Sequence, residues 1–203
     1  MWCRSGRAKW RFASVAKRSS PPGWGELTVE LDDLNQLIQR STRSAFRLET
    51  LPQYLVPQEA EELARWRNGV RTSLGTPGTS PWLARIRSGV DSGYSWSRAR
   101  VLDYPLTEYS EFELYGYQAN HAAGEEITVV NRAWSAELLG LVEDFWLIDD
   151  EIVVRMVYDE QGHFVRPEVG VDLSSYLEIK SLVLSHGVGL MDYLREWEPE
   201  LIA

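Results

Sequence analysis

The stretch EDFWLIDDEIVVRMVYDEQGHFVRPEVG, residues 143 to 170, decides the fold. Two runs rich in β-branched and aromatic residues meet at Asp149-Asp150, and a third follows Glu160-Gln161-Gly162. In the middle run Ile152, Val154, Met156 and Tyr158 fall on one face and Val153, Arg155 and Val157 on the other, the period-two pattern of a largely buried strand. Asp and Gly tolerate the positive φ that short hairpin loops need. The stretch therefore predicts a three-stranded antiparallel meander.

Upstream, helical and extended patterns alternate. Leu31, Leu34, Leu37 and Ile38 recur at three- and four-residue spacing, which predicts an amphipathic helix in the span from Glu30 to Ala45. AFRLET, residues 45 to 50, sets Phe46 and Leu48 against Arg47 and Glu49 and reads as a short strand. Pro57 suits a first helical turn, and Glu59, Glu61 and Glu62 favour the positive end of a helix dipole, so a helix should run to about Asn68 and stop at Gly69. RTSLGTPGTS, residues 71 to 80, reads as a mobile loop. It lacks the Lys-Ser/Thr or third glycine of the phosphate-binding patterns. Ser80-Pro81 should start a short helix through Arg87.

A strand is expected around Arg98 to Asp103, a helix from Pro105 to about Ala123, a strand at Ile127 to Asn131 and a short helix near Ala133 to Leu139. After the meander, Asp172 caps a helix through about Ser185, and Met191 to Trp197 form the last one. This order predicts the α/β (α+β) class, with a single mixed sheet that ends in a C-terminal antiparallel meander and is flanked by helices.

Composition narrows the function. With 44% hydrophobic and 25% charged residues, the 203-residue chain is ordinary for one globular domain. No apolar run approaches the roughly 18 to 20 residues of a membrane span. The formal charge of -9 argues against a whole surface built for nucleic acid. Cys3 is the only cysteine, which excludes a disulfide framework and a Cys-based metal site and points to a reducing, cytoplasmic setting. The charge is uneven: residues 1 to 28 carry Arg4, Arg7, Lys9, Arg11, Lys17 and Arg18 against Glu26, a net of +5 that leaves -14 for the rest. Residues 1 to 28 are expected to be a disordered basic tail or the product of a start codon placed too far upstream, with initiation near Val29 and a single globular domain over 29 to 203. Nucleic-acid binding would rest on that tail alone.

On the predicted 105 to 123 helix, Leu106, Tyr109, Phe112, Glu113, Gly116, Tyr117, Ala119, Asn120 and Ala123 share one broad face. A carboxylate in such a stripe must find a cation or hydrogen-bond donors, or be neutralised. Two readings follow. Glu113 is a structural partner of Arg47 or Arg98, or it is the acid or base of an enzyme of small-molecule or nucleotide metabolism, with Arg98 as anion clamp and Tyr117, Asn120 and Tyr158 around the pocket. The candidate polar cluster is thus Arg47, Glu49, Arg98, Tyr109, Glu113, Tyr117, Asn120 and Tyr158, of which Arg47, Glu49, Arg98, Glu113 and Asn120 are expected to converge on a closed spot.

Other chemistries find little support. Asp149 and Asp150 are adjacent and more consistent with a turn than with an acid-base pair. His121, His163 and His186 lack ligand spacing, no catalytic residue is assigned, and no metal or cofactor is called for. GxSxG, HExxH and a complete GxGxxG are missing. Trp66, Trp82, Trp96, Trp134, Trp146 and Trp197 are spread over different elements, as core and rim packing would spread them.

AFRLETLPQYLVPQEAEELARW, RVLDYPLTEYSEFELYGYQANHAAGEEITVVNR and EDFWLIDDEIVVRMVYDEQGHF together make the chain resemble the actinobacterial domain of unknown function 6879, over about residues 30 to 195. The resemblance implies a regulatory or accessory role through a protein partner, since such domains are commonly encoded beside helix-turn-helix transcription regulators of the XRE type. AAGEEITVV followed by FWLIDDEIVVRMVYD also looks like half of a phospholipase-D-like fold. The His-x-Lys signature of that superfamily is absent, because Ala123, Val165 and Val188 stand two residues after the three histidines. That likeness implies a catalytically degenerate binding domain.

Overall fold

In the computed structural model, which describes residues 31–169 and 172–203, the alternating runs pair into one seven-stranded mixed sheet. The order along the chain is α1 (Leu31–Arg40), β1 (Ser44–Glu49), α2 (Ala60–Arg67), α3 (Pro81–Asp91), β2 (Ser95–Leu102), α4 (Glu108–Ala123), β3 (Glu126–Asn131), β4 (Asp144–Ile148), β5 (Ile152–Tyr158), β6 (Phe164–Val169), α5 (Leu173–His186), β7 (Val188–Gly189) and α6 (Leu190–Trp197). Across the sheet the strands lie β6-β5-β4-β1-β2-β3-β7, with β1, β2 and β3 parallel and every other pair antiparallel. The fold is α+β as expected. Residues 1 to 28 and the proposed start at Val29 lie outside the described residues.

The meander is as the period-two pattern requires. Asp149 and Asp150 take φ of 55° and 56° in the β4–β5 hairpin, and Gly162 takes 88° between β5 and β6. Asp149 also does something the sequence did not announce: its carboxylate accepts the backbone N–H groups of Thr42, Arg43 and Ser44 at 3.0, 2.8 and 2.8 Å. It so ties the hairpin to the entry of β1. Against the opposing effect of burial, these bonds hold its carboxyl below the usual range. Asp149→Ala loses the acceptor and places a Cβ-only side chain at positive φ, so a loss of about 1 to 2 kcal/mol is expected, as for a lost helix cap. Urea unfolding measures it, and Asn, which tolerates the left-handed region, should restore part of the loss.

Alternation along the strands sorts two apolar layers. Phe46 and Leu48 of β1, Ala99 and Val101 of β2, Phe145 and Leu147 of β4 and Val153 of β5 pack beneath α5 through Tyr176 and Val183. The opposite face carries Ala45, Trp96, Ile148, Val154 and Met156 under α1, α3 and α4. Beside it, Leu102, Ile127 and Val129 meet α2, α4 and α6 through Trp66, Leu114, Leu190, Tyr193 and Leu194.

Several boundaries move, each for a local reason. Thr107 is the N-cap of α4, accepting from the Ser110 N–H, so the helix begins at Glu108 and not at Pro105, which follows a cis peptide bond. Helix α3 continues past Arg87 to Asp91, because Ile86 and Val90 still face the core. The helix expected at Ala133 to Leu139 is two separate 3-10 turns, Arg132–Trp134 and Ala136–Leu138, each started by a side-chain cap from Asn131 or Ser135. Gly187 ends α5 as its C-cap. Residues 188 and 189 form the edge strand β7, and a Cβ at Gly187 would stand 2.1 Å from the Thr128 methyl.

Candidate functional site

Between the two apolar clusters of the α4 side, the same sheet face turns polar. Period two puts Arg47 and Glu49 of β1 beside Arg98 and Arg100 of β2, and the register pairs Arg47 with Arg98 and Glu49 with Arg100. Asp144 opens β4 on the other side of β1, across from Met156. The site therefore sits at the carboxyl ends of parallel strands, where the chain order reverses around β1. In open α/β sheets this crevice is the usual place for a ligand.

Here the crevice is filled by the protein's own groups. Two neighbouring arginines on one face repel unless an anion lies between them, and Glu49 does: it receives Arg98 Nη1 at 2.6 Å and Arg47 Nε at 3.4 Å. Arg98 Nε donates to Glu125 at 3.0 Å, and Asn120 holds the other oxygen of Glu125 at 2.6 Å. Asp144 accepts four hydrogen bonds: from Arg47 Nη2 at 2.9 Å, the Thr50 N–H and hydroxyl at 2.8 Å each, and the Tyr54 hydroxyl at 2.5 Å. Arg47 Nη2 also reaches the Tyr158 hydroxyl at 3.1 Å. Tyr109 stands at the margin, donating to Glu59 at 2.8 Å and packing on Tyr54.

Glu113 pairs with neither Arg47 nor Arg98, the partners expected for it, but with Arg100, at 2.7 Å. The reason is register: Arg100 lies one pleat further along β2, under the N-terminal half of α4. The side chain of Arg100 is 0% exposed and that of Glu113 9%. The Tyr117 hydroxyl lies between Glu49, at 2.6 Å, and Glu113, at 3.1 Å. A phenol has one proton to give. If it goes to the nearer Glu49, the contact to Glu113 needs a proton on Glu113. Charge balance agrees, since Arg47, Arg98 and Arg100 face Glu49, Glu113, Glu125 and Asp144, and the layer is neutral when Glu113 is protonated. Burial, reinforced by Glu49 and Glu59 and opposed by Arg100, pushes the Glu113 carboxyl up to about 8. Glu49 goes the other way: burial disfavours its charge, but Arg98, Arg47, Arg100 and the Tyr117 hydrogen bond outweigh it and hold the group at about 2.

Arg47, Glu49, Arg98, Glu113 and Asn120 come together in this layer, and Tyr109, Tyr117 and Tyr158 lie in or against it. Four essential members were missed: Arg100, Asp144, Glu125 and Tyr54. Arg100 was legible as the i+2 neighbour of Arg98. Glu125, after the helix-ending Gly124, and Tyr54, in the loop after β1, carry no local signal. Gly116, placed on the buried stripe, is exposed, and Ser110, Leu114 and Gln118 are buried instead. The stripe is rotated because the C-terminal segment packs on α4, with Gln118 Nε2 donating to the Leu201 carbonyl at 2.7 Å.

The layer is roofed by the 50–56 loop, which carries Tyr54 and is pinned by the Leu55 N–H to the Gly162 carbonyl at 2.9 Å. A Cβ on Gly162 would stand 2.5 Å from the Gln53 carbonyl oxygen, and its φ is positive. Gly162→Ala should therefore displace the roof, and the expected result is faster exchange of the Leu55 amide with a loss of about 1 to 3 kcal/mol. A cleft of about 180 Å3 touches Asp144 and Tyr158 along with Leu51, Arg155 and Met156, but not Glu113. It is smaller than the roughly 300 Å3 of ordinary ligand sites. Among the described residues no group of His, Cys, Asp and Glu is arranged to hold a metal ion, and no helix is long and apolar enough to cross a membrane.

Comparison with curated proteins gives no match. The family described as Domain of unknown function (DUF6879) is matched over residues 32–195, which takes in the sheet from β1 to β7, the helices that cover it and every charged group of the buried layer. The chain belongs to the DUF6879 family.

Proposed function

We propose that the protein is a non-catalytic accessory or regulatory protein of the cytoplasm that works by binding a protein partner, a helix-turn-helix transcription regulator encoded beside it. The observation that carries this reading is the roofed charge layer: its carboxylates and guanidinium groups stand in ion-pair contact with one another at the place where a ligand would bind, although the buried Arg47 Nη1 and Arg100 Nε make no hydrogen bond. What the body of the chain offers to the outside is acidity, -14 over residues 29 to 203. Such a surface complements a basic DNA-binding domain and speeds the encounter with it.

The enzyme reading needs a reachable Glu113, and that carboxyl is held by Arg100 and Tyr117 with 9% of its side chain exposed. The test is co-purification with the neighbouring regulator. A complex that forms at low ionic strength and weakens as salt screens the surface charge is the expected result. No complex at low salt, where charge complementarity acts most strongly, would refute the reading.

A further inference from the structure

Four aromatic side chains gather where the chain leaves β2 and β3 and enters α6. Trp134 lies 5.3 Å from Trp197 and 6.5 Å from Tyr193 between ring centroids, and Tyr193 lies 5.3 Å from Trp197. The Tyr104 and Tyr193 hydroxyls are 2.9 Å apart. Tyr193 is fully buried and fixes the group, while Tyr104, Trp134 and Trp197 stay 48%, 37% and 38% exposed. The wide spacing of these residues in the sequence concealed the platform. Large rigid rings left side by side in water are a feature of interaction surfaces.

Charge says what kind of partner fits. The Tyr104 hydroxyl donates to Glu198. Glu200 stands two residues on, in the 3-10 turn Pro199–Leu201, so two carboxylates lie along one edge of the platform, and burial raises that of Glu198 above its ordinary value. Among the described residues neither forms an ion pair, whereas Asp103 is matched by Arg132 and Asp192 by Arg195. A cation brought to this edge relieves their repulsion. Arginine suits it better than lysine, because a guanidinium stacks flat on an indole while its N–H groups pair with a carboxylate.

We propose that Tyr104, Trp134, Trp197, Glu198 and Glu200 form the docking surface for an arginine-rich segment of a protein partner. This inference rests on the partner-binding reading and adds to it the place and the chemistry of contact.

The experiment uses the full chain and a fluorescein-labelled nine-residue peptide of alternating arginine and glycine, followed by fluorescence anisotropy at low salt. The Trp134→Ala, Trp197→Ala double variant and the Glu198→Gln, Glu200→Gln double variant should each weaken binding about ten-fold or more, a change of about 1.4 kcal/mol. Glu160→Gln with Glu178→Gln, the same charge change at exposed positions on other elements, should change it less than about two-fold, since a distant exposed charge is largely screened. Equal weakening by the control pair would mean diffuse acidity and overturn the proposal, as would native affinity in both patch variants. Neutralising the six basic residues of the 1 to 28 segment tests the rival occupant. If that change tightens peptide binding about ten-fold, the chain's own segment competes for the patch and a partner segment is not its occupant.

Capture of the native regulator separates this inference from the reading beneath it. A wild-type chain that captures no regulator defeats the partner reading. Capture undiminished in the tryptophan variant defeats only this surface. The carboxylate variant keeps the test valid should the tryptophan variant fold poorly.

Discussion

Asp144→Ala is expected to lower folding stability by about 3 to 5 kcal/mol, the range for breaking a buried ion pair by removing one partner. Asp144 is buried, and its loss leaves the Arg47 guanidinium, the Thr50 N–H and hydroxyl and the Tyr54 hydroxyl without their shared acceptor. Arg47 retains only Glu49 at 3.4 Å and Tyr158 at 3.1 Å, so a buried positive charge is left poorly matched. Asp144→Asn keeps the size and some acceptor capacity but not the charge, and should fall between wild type and alanine. Urea unfolding at neutral pH checks the order. An alanine variant within about 0.5 kcal/mol of wild type, the range of an unremarkable surface change, would contradict it.

The second large effect is a dependence of stability on pH that runs against the usual acidic-residue behaviour. The folded Glu113 carboxyl sits at about 8, above its ordinary value of 4.5, so folding takes up a proton between these two values. The stability this group contributes is fully present below about 4.5 and is lost as the pH rises through about 8. The slope is on the order of 1 kcal/mol per pH unit within that window. Glu49 acts oppositely, since its carboxyl is held at about 2: its contribution is present above about 4.5 and is lost as the pH falls towards 2. Between the two, wild type should be most stable on the mildly acidic side, near the lower end of the Glu113 window. Glu113→Gln keeps a neutral group of the same shape and should flatten the alkaline decline, while Glu113→Ala leaves Arg100 without its partner at every pH. Melting temperatures of the three proteins from pH 5 to pH 9 give the comparison, and parallel wild-type and glutamine curves would refute the assignment.

The sheet was legible because its signals are local. Alternation of Ile152, Val154, Met156 and Tyr158 with Val153, Arg155 and Val157 states which face is which, and two aspartates between apolar runs state a turn. The same alternation in AFRLET gave Arg47 and Glu49 a common face, and so two of the seven charged groups of the buried layer. Pairings across strands were less legible. Whether Glu113 meets Arg98 or Arg100 depends on how far α4 slides along β2, and no local preference fixes that distance. Edge strand β7 is two residues long, too short for periodicity to register. The Trp134 and Trp197 pairing likewise needs the fold to bring a turn after β3 against α6.

Function was the least legible part, and for a physical reason: a stripe of carboxylate, tyrosine and asparagine on a helix serves a pocket and a structural ion-pair layer equally well. Only burial and partners separate them. A buried layer of this kind need not add net stability, because desolvation offsets much of the attraction. Its effect here is on register. Slipping β1 by one residue would carry Arg47 and Glu49 into the apolar cluster beneath α5 and away from the partners they hold on the α4 side.

The most direct test of the sealed, proton-holding layer is a pH titration of the Glu113 side-chain carboxyl by its 13C chemical shift in the intact protein. A midpoint near 8, unchanged by moderate salt, is the predicted result. A midpoint between about 4 and 5, the value of a glutamate open to water, would show the carboxylate charged and accessible and would contradict the account.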